Sequence, residues 1–322
     1  MNIYSLVAGA TAMLLFGSGI AAADCGKVTI TEMNWASAAI VTSVSKFLME
    51  KGYGCDVQVV QTSVAPAVTS IAEKGEPDIV TELWINSAPM YEKLEAEGKV
   101  VTLGNALSDG GIGGYWIPAY LAEAHPELTK LEGILAHPEL VGGRFHSCPE
   151  GWGCRIVADN LQKAWDFEGH GLKVFNHGSG ETLAASIEVA YTNKEPWFGY
   201  YWSPTPTMAK FPLVKVDMGE YVEAIHTCNR SADCPNPGKS GYPRDRVLTA
   251  STSAFLERQP DVADLMRKVS FTNEMMNSLL KWQFDKKATA EETAVHFLSN
   301  HKAIWSAWLN EAAKAKLATL LK

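Results

Sequence analysis

The sequence predicts an α/β protein of two lobes, each a mostly parallel sheet flanked by helices, with a ligand cleft between the lobes. Three observations predict it. The N-terminal part of the chain alternates strand-like and helix-like segments in β-α-β-α-β order, which argues for parallel strands joined by helical crossovers. A second unit of the same kind begins near Pro118. Beyond Val214 the chain ends in helical stretches long enough to pack back on the first unit. The expected organisation is lobe 1 at 24–117 and 214–322, lobe 2 at 118–213, and a leader at 1–23.

The elements follow in order. Lys27–Met33 alternates as a first strand, and Ala36–Lys51 spaces Ile40, Val44, Phe47 and Leu48 as a helix that Gly52-Tyr53-Gly54 ends. Cys55–Gln61 alternates again, a short helix follows, and Pro77-Asp78-Ile79-Val80 enters a buried strand. In the second unit, strands are expected at Gly143-Arg144-Phe145, Gly171–Phe175 and Trp197–Tyr201, with helices at Ile156–Trp165 and Thr182–Thr192. A loop rich in Cys, Asn, Pro and Gly spans Thr227–Asp245, and helices are expected near 260–269, 272–284, 289–299 and 301–320.

Bulk properties narrow the function. Residues 1–23 carry no charged side chain and end Ala21-Ala22-Ala23, the small-residue pattern that a signal peptidase cuts. Export with cleavage near Ala23, and a periplasmic location, are therefore expected. Gly and Ser interrupt the apolar run, which argues against a membrane anchor. The net charge of -8 and the lack of a Lys/Arg block argue against a nucleic-acid partner. Six cysteines suit an exported chain. Cys148 and Cys154, and Cys228 and Cys234, are expected to form local disulfides, leaving Cys25 with Cys55. With no CxxC or HExxH, neither a metal nor a cofactor is expected, and the protein is expected to be a monomer.

Tryptophan placement carries the chemistry. Trp165, Trp282, Trp305 and Trp308 lie in helical stretches and suit ordinary packing. Trp35, Trp84, Tyr115, Trp116, Trp152 and Trp202 instead stand at strand ends or in loops, split between the two units, where a cleft would open. A quaternary ammonium group has no N–H to donate, so only apolar, quadrupolar ring faces hold its head. Each such contact contributes about 0.5–2 kcal/mol, and three or four suffice for roughly micromolar binding.

These motifs resemble the substrate-binding proteins of glycine betaine/choline-type ABC importers, over the whole mature chain. Cys148-x5-Cys154 around Gly151-Trp152-Gly153 is similar to their disulfide-closed Gly-Trp-Gly-Cys loop. Tyr200-Tyr201-Trp202-Ser203-Pro204 is similar to their Tyr-Tyr-Trp-Thr-Pro, and Glu82-Leu83-Trp84 falls where their first-lobe cage tryptophan stands. Trp35 and Tyr115 correspond to cage aromatics of the choline-binding relatives. The resemblance implies a periplasmic binding protein fold and a membrane permease as partner. It also implies a cage of Trp84, Trp152 and Trp202, with the N–H groups of Gly153 and Cys154 facing the ligand's anionic end.

The sequence departs from the enteric betaine binders at two places. Their carboxylate-holding His is replaced by Ala88, and Glu150 lies inside the ligand loop. An acid facing the cleft disfavours a bare ligand carboxylate and accepts a hydrogen bond from a hydroxyl or a protonated N-oxide. This makes trimethylamine N-oxide the first expected ligand, with glycine betaine, proline betaine or choline as alternatives. Glu82, beside Trp84, is a second candidate acid. An exported hydrolase is the main competing class, but Ser179 lacks a glycine two residues before it, so no nucleophile elbow is present and no enzyme activity is expected. Asn176–Glu181 reads instead as a helix start capped by Ser179 or a neighbour. Oxygen-bearing residues of the 228–234 loop are compatible with a hard cation, although a disulfide-stapled surface loop is the simpler expectation.

Overall fold

The computed structural model describes residues 25–321. The expected signal peptide lies outside the described residues. Nine strands form one sheet: β1 Gly26–Met33, β2 Cys55–Thr62, β3 Ile79–Trp84, β4 Val100–Pro118, β5 Arg144–Ser147, β6 Lys173–Asn176, β7 Gly199–Ser203, β8 Leu213–Lys215 and β9 Arg244–Thr252. Their order is β2-β1-β3-β9-β4-β7-β5-β6, with β8 also on β4.

The two ends of this sheet are parallel wings. β1 runs parallel to β2 and β3 in one, and β5 runs parallel to β6 and β7 in the other. The centre is antiparallel, since β9 opposes β3 and β4, while β4 opposes β7 and β8. Two mostly parallel lobes joined by crossing strands were the expectation, and the structure threads both wings through β4. The reason lies in β4 itself. Its early residues pair with β9 as far as Ile112, and from Ile112 onward it pairs with β7. Gly110, with φ at 71°, and the register shift between Leu107 and Gly111 bend it there. The glycines that permit this bend also dilute the alternation that marks a strand.

Helices cover both faces. Ala36–Leu48 buries Ile40, Val41, Val44 and Leu48, then passes through a wide turn, Met49–Tyr53, that Gly54 ends in the left-handed conformation. The tail returns to this first helix as expected: Ala290–Asn300 packs along it, and Glu311–Lys316 seats against the wide turn. The helix expected at 301–320 is broken into Lys302–Trp308, Glu311–Lys316 and Ala318–Leu321. Asn310 causes the break, because its side-chain oxygen accepts from the Ala313 N–H at 2.9 Å and starts a new helix.

The disulfides are Cys25–Cys55, Cys148–Cys154 and Cys228–Cys234. The Thr227–Asp245 segment is shorter as a loop than expected, since the helix Glu223–Asn229 enters it and β9 begins at Arg244. Asn160 anchors it by donating to the carbonyls of Asn229 and Ser231. Among the described residues, no group of three or more His, Cys, Asp or Glu side chains is placed to hold a metal ion.

Cys25–Cys55 ties β1 to β2 across a sequence separation of 30. Replacing both cysteines with serine is expected to destabilise the fold by about 3 to 4 kcal/mol through added freedom of the unfolded chain. Denaturant unfolding of the mature protein checks this.

Candidate functional site

A cavity opens where the two wings meet. It is lined by Trp35, Val64, Trp84, Trp152, Gly153, Cys154, Tyr200 and Trp202, and the free space among them, with the open solvent at its mouth included, is about 370 Å³. Local structure aims each ring. Trp35 directly follows β1 and caps the helix Ala36–Leu48 in an extended conformation. Trp84 is the last residue of β3. Trp202 lies in β7 opposite Gly113. Trp152 sits in the loop after β5 and caps the helix Gly153–Ala164. The parallel strands of both wings end here, which is why residues distant in sequence converge.

The rings interlock edge to face. Trp35 and Trp152 have centroids 5.4 Å apart at 71°, and Trp152 and Trp202 are 5.0 Å apart at 80°. Tyr200 lies nearly parallel to Trp202, with centroids 6.4 Å apart. Two glycines make room for them. A Cβ on Gly111 would stand 2.2 Å from Trp84 ring atoms, and one on Gly180 would stand 2.9 Å from the Trp152 ring. Indole N–H groups are anchored behind the rings. Trp152 Nε1 donates to Asn34 Oδ1 at 2.9 Å, across the seam between the wings, and Trp35 Nε1 donates to Glu82 Oε2 at 2.6 Å. Ser63 Oγ adds a second bond over the seam, donating to the Gly151 carbonyl at 3.2 Å.

Among the described residues, no Asp, Glu, His, Lys or Arg side chain lines the cavity. Its polar feature is the start of the helix Gly153–Ala164, whose first-turn N–H groups have no carbonyl within the helix to reach. That end of the helix carries the positive end of its dipole and suits an anionic group. The disulfide Cys148–Cys154 closes the loop that carries it. Behind the rings, Glu82 is fully buried. Burial raises its carboxyl to about 7, against the opposing hydrogen bonds from Trp35, Ser37 and Trp84.

Of the residues named from sequence, Trp35, Trp84, Trp152, Gly153, Cys154 and Trp202 line the cavity together. Tyr115, Trp116 and Glu150 do not. Tyr115 is paired with Tyr200 across β4 and β7 but lies deeper, packed on Phe145 and Tyr242 with no solvent exposure. Trp116, next along β4, is buried and spends its N–H on the Tyr201 carbonyl at 2.9 Å. Glu150 is exposed on the disulfide loop. Tyr200 and Val64 are additional lining residues. Tyr200 had a signal in the sequence, since it stands two residues before Trp202 on one strand and so shares its face. Val64, a small apolar residue at a helix start, had none. Ser179 caps the helix Gly180–Asn193 in a reciprocal box with Thr182, as expected, and that helix start supports the Trp152 ring.

Parallel wings on an antiparallel centre, with a cavity where the strands end, define a periplasmic binding protein fold. Residues 26–300 match the family described as OpuAC, the substrate binding domain of ABC-type glycine betaine transport systems, and the chain belongs to that family. It is similar in fold to the glycine betaine/L-proline-binding protein ProX of Borrelia burgdorferi, with a TM-score of 0.74 at 18% identity over 92% of this chain and 100% of that one. An ABC-transporter choline binding protein in complex with choline gives 0.72 at 21% identity, over 92% and 98%. Lactococcal OpuAC, closed on glycine betaine, gives 0.69 at 18% identity, over 88% and 100%.

The contact between Gly111 and Trp84 makes a sharp test of the packing. Gly111→Ala is expected to displace the Trp84 indole and to cost about 1–3 kcal/mol by overpacking. A lowered Tm together with an altered near-UV circular dichroism spectrum checks it; an unchanged spectrum contradicts the placement of the ring.

Proposed function

We propose that this chain captures a compact trimethylammonium compound outside the cytoplasmic membrane and delivers it to the permease of an ABC importer. Trimethylamine N-oxide is the first ligand and glycine betaine the second. The observation that carries this reading is the cavity itself: four tryptophans and a tyrosine face one space, and no Asp, Glu, His, Lys or Arg is among its lining residues. A methylated cation without N–H groups is the guest that such walls favour. The helix start at Gly153 and Cys154 then receives the ligand's oxygen.

Choline fits less well, because its hydroxyl seeks an acceptor and no carboxylate lines the cavity. Three features favour the N-oxide over glycine betaine. The rings stand in edge contact with one another, so the smaller ligand separates them least. Ala88, buried near the end of β3, offers no imidazole to a carboxylate. Glu150 adjoins Gly151, which already bonds Ser63 over the seam. Its charge beside the mouth of the cage disfavours a bare ligand carboxylate more than a single N-oxide oxygen.

Calorimetric titration of the mature chain with trimethylamine N-oxide, glycine betaine and choline tests the proposal. Micromolar binding of the N-oxide is expected, lost by about a hundredfold or more in Trp152→Ala as two ring contacts disappear. Glu150→Gln is expected to leave the N-oxide within about twofold and to improve glycine betaine, as a repelling charge at the mouth is removed. Tighter binding of glycine betaine in the unaltered chain overturns the ligand order, and no heat with any of the three overturns the cage.

A further inference from the structure

We propose that Glu82 is the counter-charge of the cage, a buried carboxylate that holds the N–H edge of the Trp35 indole and lends its negative charge to a cation resting on the ring's face. This inference rests on reading the cavity as a trimethylammonium cage.

The placement of Glu82 makes little sense as packing alone. Its side chain has no solvent exposure, and no cationic side chain contributes to its titration. A lone buried carboxylate destabilises a fold. Its backbone adds to that cost, with φ at 51° in the left-handed region, beside the register shift that bulges β3 against β9. Oε2 accepts from Trp35 Nε1 at 2.6 Å and from Ser37 Oγ at 2.9 Å, whereas Oε1 is buried with no hydrogen-bond partner. Trp84, two residues further on, also favours the ionised form.

The chemistry follows from that contact. An indole that donates to a carboxylate is polarised, and its face becomes more negative. The carboxylate's own charge acts in the same direction through a medium of low dielectric. A trimethylammonium group resting on Trp35 supplies the cation that Glu82 lacks within the protein. Cation binding and ionisation of Glu82 are then linked, each favouring the other. With its carboxyl at about 7 in the empty site, Glu82 ionises as pH rises through neutrality, so affinity rises with pH and falls in acid. The elements packed on this part of β3 meet it with hydroxyls, Thr31 from β1, Ser37 from the first helix and Thr249 from β9. Asp245, the other buried acid raised to about 7, lies beside Asn86 and Arg230 and is left intact in the test below.

The test compares the unaltered chain with Glu82→Gln, which keeps an acceptor for Trp35 and removes the charge. Dissociation constants for trimethylamine N-oxide and glycine betaine are measured at about pH 6 and pH 8.5, above the range where either ligand titrates. The variant is expected to bind about tenfold more weakly at pH 8.5 and within about twofold at pH 6, with a nearly flat profile. Its Tm at pH 8.5 is expected to exceed that of the unaltered chain, because an ionised buried acid has been removed. Equal affinity of the two proteins at both pH values overturns the proposal. So does an equal loss at both, which would make Glu82 a mere peg for the ring. If Glu82→Gln does not fold, Trp35→Phe, which keeps a ring but no N–H, is put through the same comparison; a pH dependence as steep as that of the unaltered chain overturns the proposal. If the unaltered chain binds neither ligand, the cage reading falls and this inference with it.

Discussion

The structure turns on one constraint: the cavity between the wings is walled by ring faces, and the guest proposed for it, a quaternary ammonium head, offers nothing to a hydrogen bond. Faces are useful only if the rings are held from behind. Trp35 is held by Glu82, Trp152 by Asn34 and Trp84 by the flat backbone at Gly111. The indole N–H groups of Trp35 and Trp152 are thus engaged behind the rings, and the faces they turn to the cavity are apolar. The helix start at Gly153 gives that apolar space its one directional feature.

The sheet serves the same constraint at larger scale. Rings from a single wing would form a wall rather than a cage. β4 and β9 run from one wing to the other, and their antiparallel pairing brings the strand ends of both to one place. The bend at Gly110 and Gly111 belongs both to the sheet and to the site, since the same stretch turns β4 and seats Trp84. A change there is felt in the fold and in the cavity together.

Much of this was legible in the sequence, and the failures have physical causes. The alternation of β1 and β2 and the helical spacing of Ala36–Leu48 follow from period alone. The tryptophans at strand ends marked most of the cavity. β4 escaped notice because five of its residues are glycine, which carries no pattern. Tyr115 was misplaced by depth rather than direction: pairing puts it on the face of Tyr200, but one layer further in. Glu82 was a candidate acid from its place beside Trp84, but its burial was not legible, because an acid in a strand ordinarily faces water and here the strand is bulged with a left-handed residue. The break at Asn310 shows the opposite case, a single capping side chain overriding a good helical pattern.

The two bonds over the seam, Trp152 to Asn34 and Ser63 to the Gly151 carbonyl, bear on time as well as on geometry. Trp152 is at once a wall of the cavity and a bolt between the wings. A guest escapes only when that wall moves, and the wall moves only when the bolt is drawn. Residence time is then governed by how fast the seam parts, whereas discrimination among guests is governed by the rings. A tight holder built in this way can still unload quickly, since any force that spreads the wings breaks two weak bonds and dismantles the cage in the same motion.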